Sequence, residues 1–296
     1  MSELRGERSV SVVVPVYNGA GTIARTIECL LRQTQPPREI VIVDDGSTDG
    51  THEALAGFHG RVRSLRKKNG GPASARNAGV QAAEGAFIAF TDSDCLPEPD
   101  WLRNLLAGFD RDDLAGVGGI VRSVDGTLTG QYVDAIRLLD PRPDETGEIP
   151  YLITANACFR REALLRAGLF DERFRKPGGE EPELCSRIRK LGYRFAAAES
   201  AVVLHRHRQT ARSLLRTISN YGEGRYLIGQ LCPEHRIDRP RRVFWRRVVA
   251  LRSIFTRVFS YAEHYGLPKA VYFSVLDYLR QVAMIHGYLR ASRRVV

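Results

Sequence analysis

The chain has 296 residues, of which 43% are hydrophobic and 26% charged, an ordinary composition for a folded globular protein. Its five cysteines are scattered without a Cys-x-x-Cys pair, which argues against a zinc site or a disulfide framework and favours a reducing compartment. No apolar signal-peptide core follows Met1, and no uncharged apolar run reaches the length of a membrane span. We therefore expect a cytoplasmic protein.

The net charge of +10 is concentrated in the C-terminal part of the chain. Residues 236–296 hold 13 Lys or Arg and 3 Asp or Glu, whereas residues 1–235 hold 31 of each sign. A neutral body followed by a basic extension places any anionic partner at the extension.

Two apolar strands are predicted near the N-terminus, and each ends in polar residues. The first, residues 9–18, contains Pro15 and Tyr17 near its end, and the second runs into Asp44 and Asp45. An amphipathic helix is predicted between them. This alternation predicts a right-handed, mostly parallel α/β sheet, in which ligands bind beyond the carboxyl ends of the strands.

A glycine-rich segment, residues 69–79, leads into a predicted helix over residues 73–83. Its glycines expose backbone N–H groups at a helix N-terminus, which suits an anion, and Arg76 is long enough to reach a phosphate. A plain helix start with a surface arginine is the alternative. The segment is not a Walker loop, because no Gly-Lys-Ser/Thr follows.

The next predicted strand, residues 86–90, ends in two carboxylates that flank a serine: Asp92, Ser93 and Asp94. Hard oxygen ligands at a strand end are able to hold Mg²⁺ or Mn²⁺ and leave positions for water and a substrate phosphate. A polar turn before the next helix explains the same residues without a metal. Together with the first two strands, this third polar strand end predicts a nucleotide-sized site.

Polar residues also mark the second half of the body. Asn156 lies within an apolar strand, so it either satisfies backbone groups of the core or touches a sugar. A Gly-Gly loop leads into Glu180 and Glu181 at the start of a helix, where plain acidic N-capping explains one or two acids. His205 and His207 end a further strand; an imidazole there is able to be a third metal ligand, and a basic surface loop is the alternative.

These motifs resemble those of family 2 of the glycosyltransferases, which has the GT-A fold. The resemblance lies in residues 12–49, 70–79 and 90–95 and extends over about residues 9–230. It implies a GT-A-like mixed sheet flanked by helices, and an inverting transfer of a sugar from a nucleoside-diphosphate donor to an acceptor hydroxyl. Processive members show Gln-x-x-Arg-Trp; this chain has Ser213 in place of the tryptophan, which favours a non-processive enzyme.

The resemblance also implies roles for individual residues. Pro15, Tyr17 and Asp45 match positions around the base and ribose, and Arg76, Asp92 and Ser93 complete the predicted donor site. The predicted ligands of a divalent metal, Mn²⁺ or Mg²⁺, are Asp92, Asp94 and His205, and Asn156 is assigned to the acceptor site. The family usually shows Glu-Asp or Asp-Asp at the catalytic base, so Glu181 is the predicted base and Glu180 the alternative. Glu183 and Arg187, four residues apart on one helix, are expected to form a supporting ion pair.

We expect a catalytic domain over residues 1–235, with a donor half at about residues 9–120 and an acceptor half at about residues 121–235. Residues 236–296 are expected to form a basic amphipathic helical extension, which suits an anionic membrane surface such as the inner face of the cell membrane. Packing on the body or on a second subunit is the alternative, and nucleic acid is disfavoured because no recognition motif accompanies the charge.

The expected acceptor is a glycan or a lipid-linked molecule of cell-envelope, polysaccharide or glycolipid biosynthesis. Two other functions compete with this one. A sugar nucleotidyltransferase shares the α/β plan and the metal, but its glycine-rich loop normally follows the first strand. A non-catalytic protein that binds nucleotide sugars or polyanions would keep the fold without a working base.

Overall fold

The computed structural model describes residues 8–124, 126–207, 210–232 and 252–293, with side chains from residue 257 onward in the last range. The described residues form two compact units. Unit 1 consists of residues 8–124, 136–175 and 180–206, and unit 2 of residues 126–135, 176–179, 207, 210–232 and 252–293. This division differs from the predicted boundary after residue 235, and residues 236–251 and 294–296 of the predicted extension lie outside the described residues.

The strands are β1 (Val10–Val16), β2 (Glu39–Asp44), β3 (Arg63–Arg66), β4 (Phe87–Thr91), β5 (Cys95–Pro97), β6 (Leu114–Ser123), β7 (Asn156–Arg160) and β8 (Arg194–His205). The helices are α1 (Ile23–Leu31), α2 (Thr51–Ala56), α3 (Pro72–Ala82), α4 (Trp101–Ala107), α5 (Leu128–Ala135), α6 (Arg161–Arg166), α7 (Glu180–Lys190), α8 (Ala211–Leu231), α9 (Arg252–Tyr265) and α10 (Leu267–Ser292).

All eight strands belong to one mixed sheet in unit 1, with the order β3-β2-β1-β4-β7-β6-β8-β5. Strands β1 to β4 are parallel, β7 is antiparallel to both β4 and β6, and β8 is parallel to β6. Because the direction reverses into β7 and again out of it, β6 and β8 end at the same edge as β1, β2 and β4. The chain runs from β1 through β2 and β3 on one side and then returns to form β4 on the other side of β1. A crevice at such a switch point is a common ligand site.

Apolar residues cover both faces of the sheet, which explains why its central strands read as nearly continuous valine and isoleucine. Val12 and Val14 belong to the core on one face, and Val13 belongs with Val41 to the core on the other. These side chains are fully buried. Burial on both faces leaves the strand ends as the places where the chain exposes polar groups.

Unit 2 is helical and centres on a buried carboxylate, Asp277 of α10. Its oxygens accept hydrogen bonds from the hydroxyls of Tyr132 (2.8 Å) and Tyr261 (3.0 Å) and pair with Arg257 (2.8 Å) and Arg280 (3.3 Å). Arg257 belongs to the predicted basic extension, and here its charge compensates this buried carboxylate. Among the described residues, no helix is both long and apolar enough to cross a bilayer.

Candidate active site

Four side chains that include the predicted metal ligands meet at the carboxyl edge of the sheet. One ligand atom each from Asp92, Asp94, Cys95 and His205 lies within 4.8 Å of the others. The imidazole Nε2 of His205 is 3.3 Å from a carboxylate oxygen of Asp94. His207, the other candidate, lies in unit 2, where its Nε2 is 3.7 Å from a carboxylate oxygen of Asp134. The structure therefore brings His205 to the two acids.

Strand pairing explains how residues so far apart in sequence converge. After β4 ends, the chain passes Asp92 and Asp94 and enters the short strand β5, which pairs antiparallel with the end of β8 and sets Cys95 opposite His205. The backbone N–H of Arg206 donates a hydrogen bond to the carbonyl of Asp94 at 3.0 Å. The Asp-Ser-Asp turn is thereby fixed against the strand that carries the histidine.

The donor set fits a hard divalent cation. Bonds of about 2.1 Å in octahedral geometry place opposite ligands about 4.2 Å apart, which is close to the spread of these atoms. The side chains of Asp92 and Asp94 are about one-third exposed, so water or a ligand oxygen is able to complete the shell. Burial, and then the two aspartates, raise the pKa of the Cys95 thiol well above its ordinary value. The two carboxylates and the imidazole are therefore the ligand atoms that we propose.

Arg76 lies between this cluster and the start of α7. Its guanidinium donates to Asp92 at 3.3 Å and to Glu180 at 3.1 Å. Burial would lower the pKa of Arg76, but Asp92, Glu181 and Glu180 outweigh it and hold the pKa above its ordinary value. The side chain is buried, unlike the surface arginine of the alternative reading, and it joins the metal group to the acidic helix.

The two candidate bases differ sharply in surroundings. Glu180 is 1% exposed and is bound by Arg76, so its carboxylate is part of the protein interior. Glu181 is partly exposed, and one of its oxygens accepts a hydrogen bond from the hydroxyl of Thr154 at 2.9 Å. Only the second arrangement leaves a carboxylate open to an acceptor. The expected pair of Glu183 and Arg187 is confirmed, with two contacts of 2.7 Å.

Asp45, predicted for the donor site, organises the glycine-rich segment. Its carboxylate accepts from the backbone N–H groups of Gly70 (3.0 Å) and Gly71 (2.7 Å) and from the ammonium of Lys67 (2.8 Å). Gly71 has a φ of +92°, and a Cβ there would approach the Arg175 carbonyl to 2.6 Å, so the position requires glycine. The glycines thus shape this loop around Asp45 at the beginning of α3.

The remaining predicted donor residues lie at the same edge of the sheet. Pro15 is the second-last residue of β1, and Tyr17, the first residue after the strand, is 53% exposed, which leaves its ring open to a ligand. The carbonyl of Ser93 accepts a hydrogen bond from the hydroxyl of Thr26 on α1 at 3.0 Å. Helix α1 therefore supports the turn between the two aspartates.

Asn156 is in the core. It is 2% exposed; its amide donates to the carbonyls of Ile120 and Ala201, both at 2.9 Å, and accepts from the indole of Trp101 at 2.7 Å. These bonds satisfy the amide within the protein. The structure thus favours the first alternative that the sequence left open, and we omit Asn156 from the proposed acceptor site.

Sequence reasoning missed several contacts at this site. Thr154 beside Glu181 and Lys67 beside Asp45 carry no motif of their own, because a single polar residue before a strand or after one is common. The bridge from Asp92 through Arg76 to Glu180 joins three separate motifs, each of which was visible in the sequence. Their contact depends on tertiary packing.

Comparison with known proteins agrees with this geometry. The family model described as "Glycosyl transferase family 2" matches residues 11–167, more than half of the chain. A pre-mycofactocin glycosyltransferase of Mycobacterium tuberculosis is 33% identical over 226 residues, which cover 73% of this chain and 46% of the relative. A chondroitin synthase of Escherichia coli is 27% identical over 240 residues, covering 66% of this chain and 34% of the relative. The chain thus spans half or less of the length of these two relatives.

Solved structures share the fold. A mannosyltransferase from Pyrobaculum calidifontis, in complex with GDP-Man and Mn²⁺, superposes with a TM-score of 0.67 at 21% identity, over 96% of this chain and 86% of that one. The structure of GalNAc-T7 with UDP, GalNAc and Mn²⁺ gives a TM-score of 0.54 at 23% identity, over 73% of this chain and 47% of that one. The mixed sheet of unit 1 and its flanking helices therefore follow the architecture that the sequence predicted.

Proposed function

Because the chain belongs to glycosyl transferase family 2, we propose that it transfers a sugar from a nucleoside-diphosphate donor to an acceptor hydroxyl with inversion at the anomeric carbon. The observation that carries this proposal is that buried Arg76 bridges Asp92 of the metal-ligand group to Glu180, the residue next to the accessible carboxylate of Glu181. A protein that only binds nucleotide sugars has no need for the second carboxylate.

The donor half of the reaction uses the sheet edge. We assign the base and ribose to the region of Pro15, Tyr17 and Asp45, and the diphosphate to the Asp92–Asp94 turn. Asp92, Asp94 and His205 would hold a divalent cation, which when bound would supply positive charge to the leaving diphosphate. Mn²⁺ is the first metal to test, since the two solved structures above contain it.

Glu181 is the proposed base for the acceptor hydroxyl. Thr154 donates a hydrogen bond to one of its carboxylate oxygens and so orients the other toward an acceptor. Glu181 removes the hydroxyl proton as the acceptor oxygen attacks the anomeric carbon from the side opposite the diphosphate. Arg76 compensates the negative charge of the neighbouring Glu180 carboxylate, so that no second uncompensated negative charge lies beside the base.

Thermal unfolding with candidate nucleotides tests the donor site. UDP, GDP, dTDP and CDP are each added with Mn²⁺, Mg²⁺ or EDTA, and a ligand at 100 times its Kd stabilises the fold by roughly 2.7 kcal/mol, or several degrees. We expect a metal-dependent rise in Tm with one nucleotide, which identifies the base of the donor. Transfer is then assayed with the corresponding nucleotide sugars, and a folded protein that binds none of the nucleotides contradicts the proposal.

We further propose that unit 2 contacts an anionic membrane surface, where a lipid-linked acceptor of cell-envelope, polysaccharide or glycolipid biosynthesis would be reached. Helix α10 buries one apolar face, yet Leu267, Val271, Val275 and Leu279, spaced four residues apart, are 37–63% exposed, and Phe259 of α9 is 75% exposed. A helix that is apolar on both faces normally has both covered. Residues 236–296 hold 13 basic and 3 acidic residues, so a positive excess remains after Arg257, Arg280 and Arg290 pair with acids, and this excess favours an anionic surface as the partner.

Vesicle flotation tests the membrane proposal. We expect binding to vesicles that contain phosphatidylglycerol, reduced by salt, and little binding to phosphatidylcholine alone. The double change Leu267→Gln with Val271→Thr should weaken partitioning by at least about tenfold, because two apolar side chains no longer enter the lipid. Leu191→Gln, at an exposed leucine of unit 1, is the matched control. Equal binding by all three proteins, or none by the wild type, contradicts the proposal.

A further inference from the structure

Residues 176–179, here called the Gly-Gly segment, directly precede Glu180 and belong to unit 2. Gly178 has a φ of +119° and Gly179 a φ of +105°. L-residues with side chains rarely adopt these backbone conformations. The backbone conformation of the segment therefore requires both glycines. It also depends on the surface against which the two glycines pack.

Helix α8 provides that surface through direct backbone contact. A Cβ added at Gly224 would meet the carbonyl oxygen of Gly178 at 1.8 Å, and a Cβ added at Gly178 would meet the ring of Tyr221 at 2.5 Å. Neither position has room for a methyl group. The Gly-Gly segment thus lies against one turn of α8 as closely as two backbones can approach.

An ion-pair network holds the beginning of the segment. Glu223, in the same turn of α8, accepts a hydrogen bond from Lys176 at 3.1 Å and pairs with Arg290 of α10. Burial raises the pKa of Glu223, but Lys176 and Arg290 outweigh burial and lower its pKa below the ordinary value. The carboxylate is therefore ionised at neutral pH, and it ties the segment to both helices.

We propose that α8 is a positioning element for the base: by holding the Gly-Gly segment, it sets where the first turn of α7 begins and thus where the carboxylate of Glu181 lies. Glu181 is only two residues beyond Gly179. A displacement of about 1 Å at a reacting group is able to cost roughly 100-fold in rate. This inference rests on the proposed function, because it concerns the base of that reaction.

Two alanine substitutions on α8 separate positioning from stability. Gly224→Ala pushes on the Gly-Gly segment, whereas Gly222→Ala pushes on α10, where its Cβ would meet the carbonyl oxygen of Met284 at 1.9 Å. Both should lower Tm. Gly224→Ala alone should lower kcat of the folded protein by about 10- to 100-fold with an unchanged KM for the donor, and should speed amide hydrogen exchange in residues 176–185.

A second variant keeps the test decisive if Gly224→Ala does not fold. Lys176→Met removes the bond to Glu223 without adding bulk, and it should lower kcat by a smaller factor, again at an unchanged donor KM. Equal losses of kcat in Gly224→Ala and Gly222→Ala, or wild-type kcat in Lys176→Met, overturn the inference. Hydrogen exchange does not depend on enzymatic activity, so the two proposals are tested separately. If the wild type transfers no sugar, the proposed function is wrong. If the exchange of residues 176–185 is unaltered in Lys176→Met, α8 does not hold the Gly-Gly segment.

Discussion

Glu181→Gln should lower kcat for sugar transfer by roughly 10²- to 10⁴-fold, the usual contribution of a general base. Glutamine has nearly the same shape as glutamate and can still accept the hydrogen bond from Thr154, but it cannot take a proton. Binding of the donor nucleotide and metal should be unchanged, because Glu181 is not one of the proposed metal ligands. Steady-state kinetics with the nucleotide sugar identified by thermal unfolding measures the effect.

Glu180→Gln is the matched control, one residue away. It should lower Tm by several degrees, since buried Arg76 loses one of its two carboxylate partners. Its loss of activity should follow the loss of folded protein, whereas Glu181→Gln should unfold at the wild-type temperature. If Glu181→Gln turned over at the wild-type rate, the base would have to be assigned elsewhere, and a selective loss in folded Glu180→Gln would point to Glu180.

Asp94→Asn should abolish most of the metal-dependent binding of the donor nucleotide. The change removes one anionic oxygen ligand from a three-residue set while keeping the size of the side chain. Loss of a partner outside the ligand shell typically weakens a metal site 10- to 100-fold, so loss of a ligand should cost at least about 100-fold. At a nucleotide concentration of 100 times the wild-type Kd, stabilisation should fall from roughly 2.7 to roughly 0.4 kcal/mol.

Thermal unfolding and calorimetric titration with the nucleotide and Mn²⁺ measure this change. Asp112→Asn, at an exposed aspartate in the loop before β6, is the control for loss of a negative charge and should bind as the wild type does. Wild-type binding by Asp94→Asn would remove Asp94 from the metal site. If Asp94→Asn also binds the nucleotide more weakly than the wild type does when both are measured in EDTA, Asp94 contacts the nucleotide directly.

The local features of this protein follow from its sequence. The strands predicted over residues 9–18 and 86–90 and the helix predicted over residues 73–83 all form, with ends within two residues of those expected. They are predictable because apolar side chains repeat with the period of each element and because burial on both sheet faces selects unbroken valine and isoleucine. The polar strand ends, the two aspartates and the acidic helix start were visible for the same reason: each interrupts an apolar pattern.

Tertiary packing decided which of these groups meet. Antiparallel pairing of β5 with β8 places His205, and not His207, beside Asp94. Hydrogen bonds from Trp101 and to two carbonyls place Asn156 in the core.

The roles of the two glutamates were fixed in the same way. Burial against Arg76 makes Glu180 an interior ion-pair partner and leaves Glu181 accessible, although the two are adjacent and chemically identical in the sequence. A sequence pattern reports the environment of each element separately. Distances between elements depend on strand register and on which buried charge finds a partner, and both are settled only when the chain has folded.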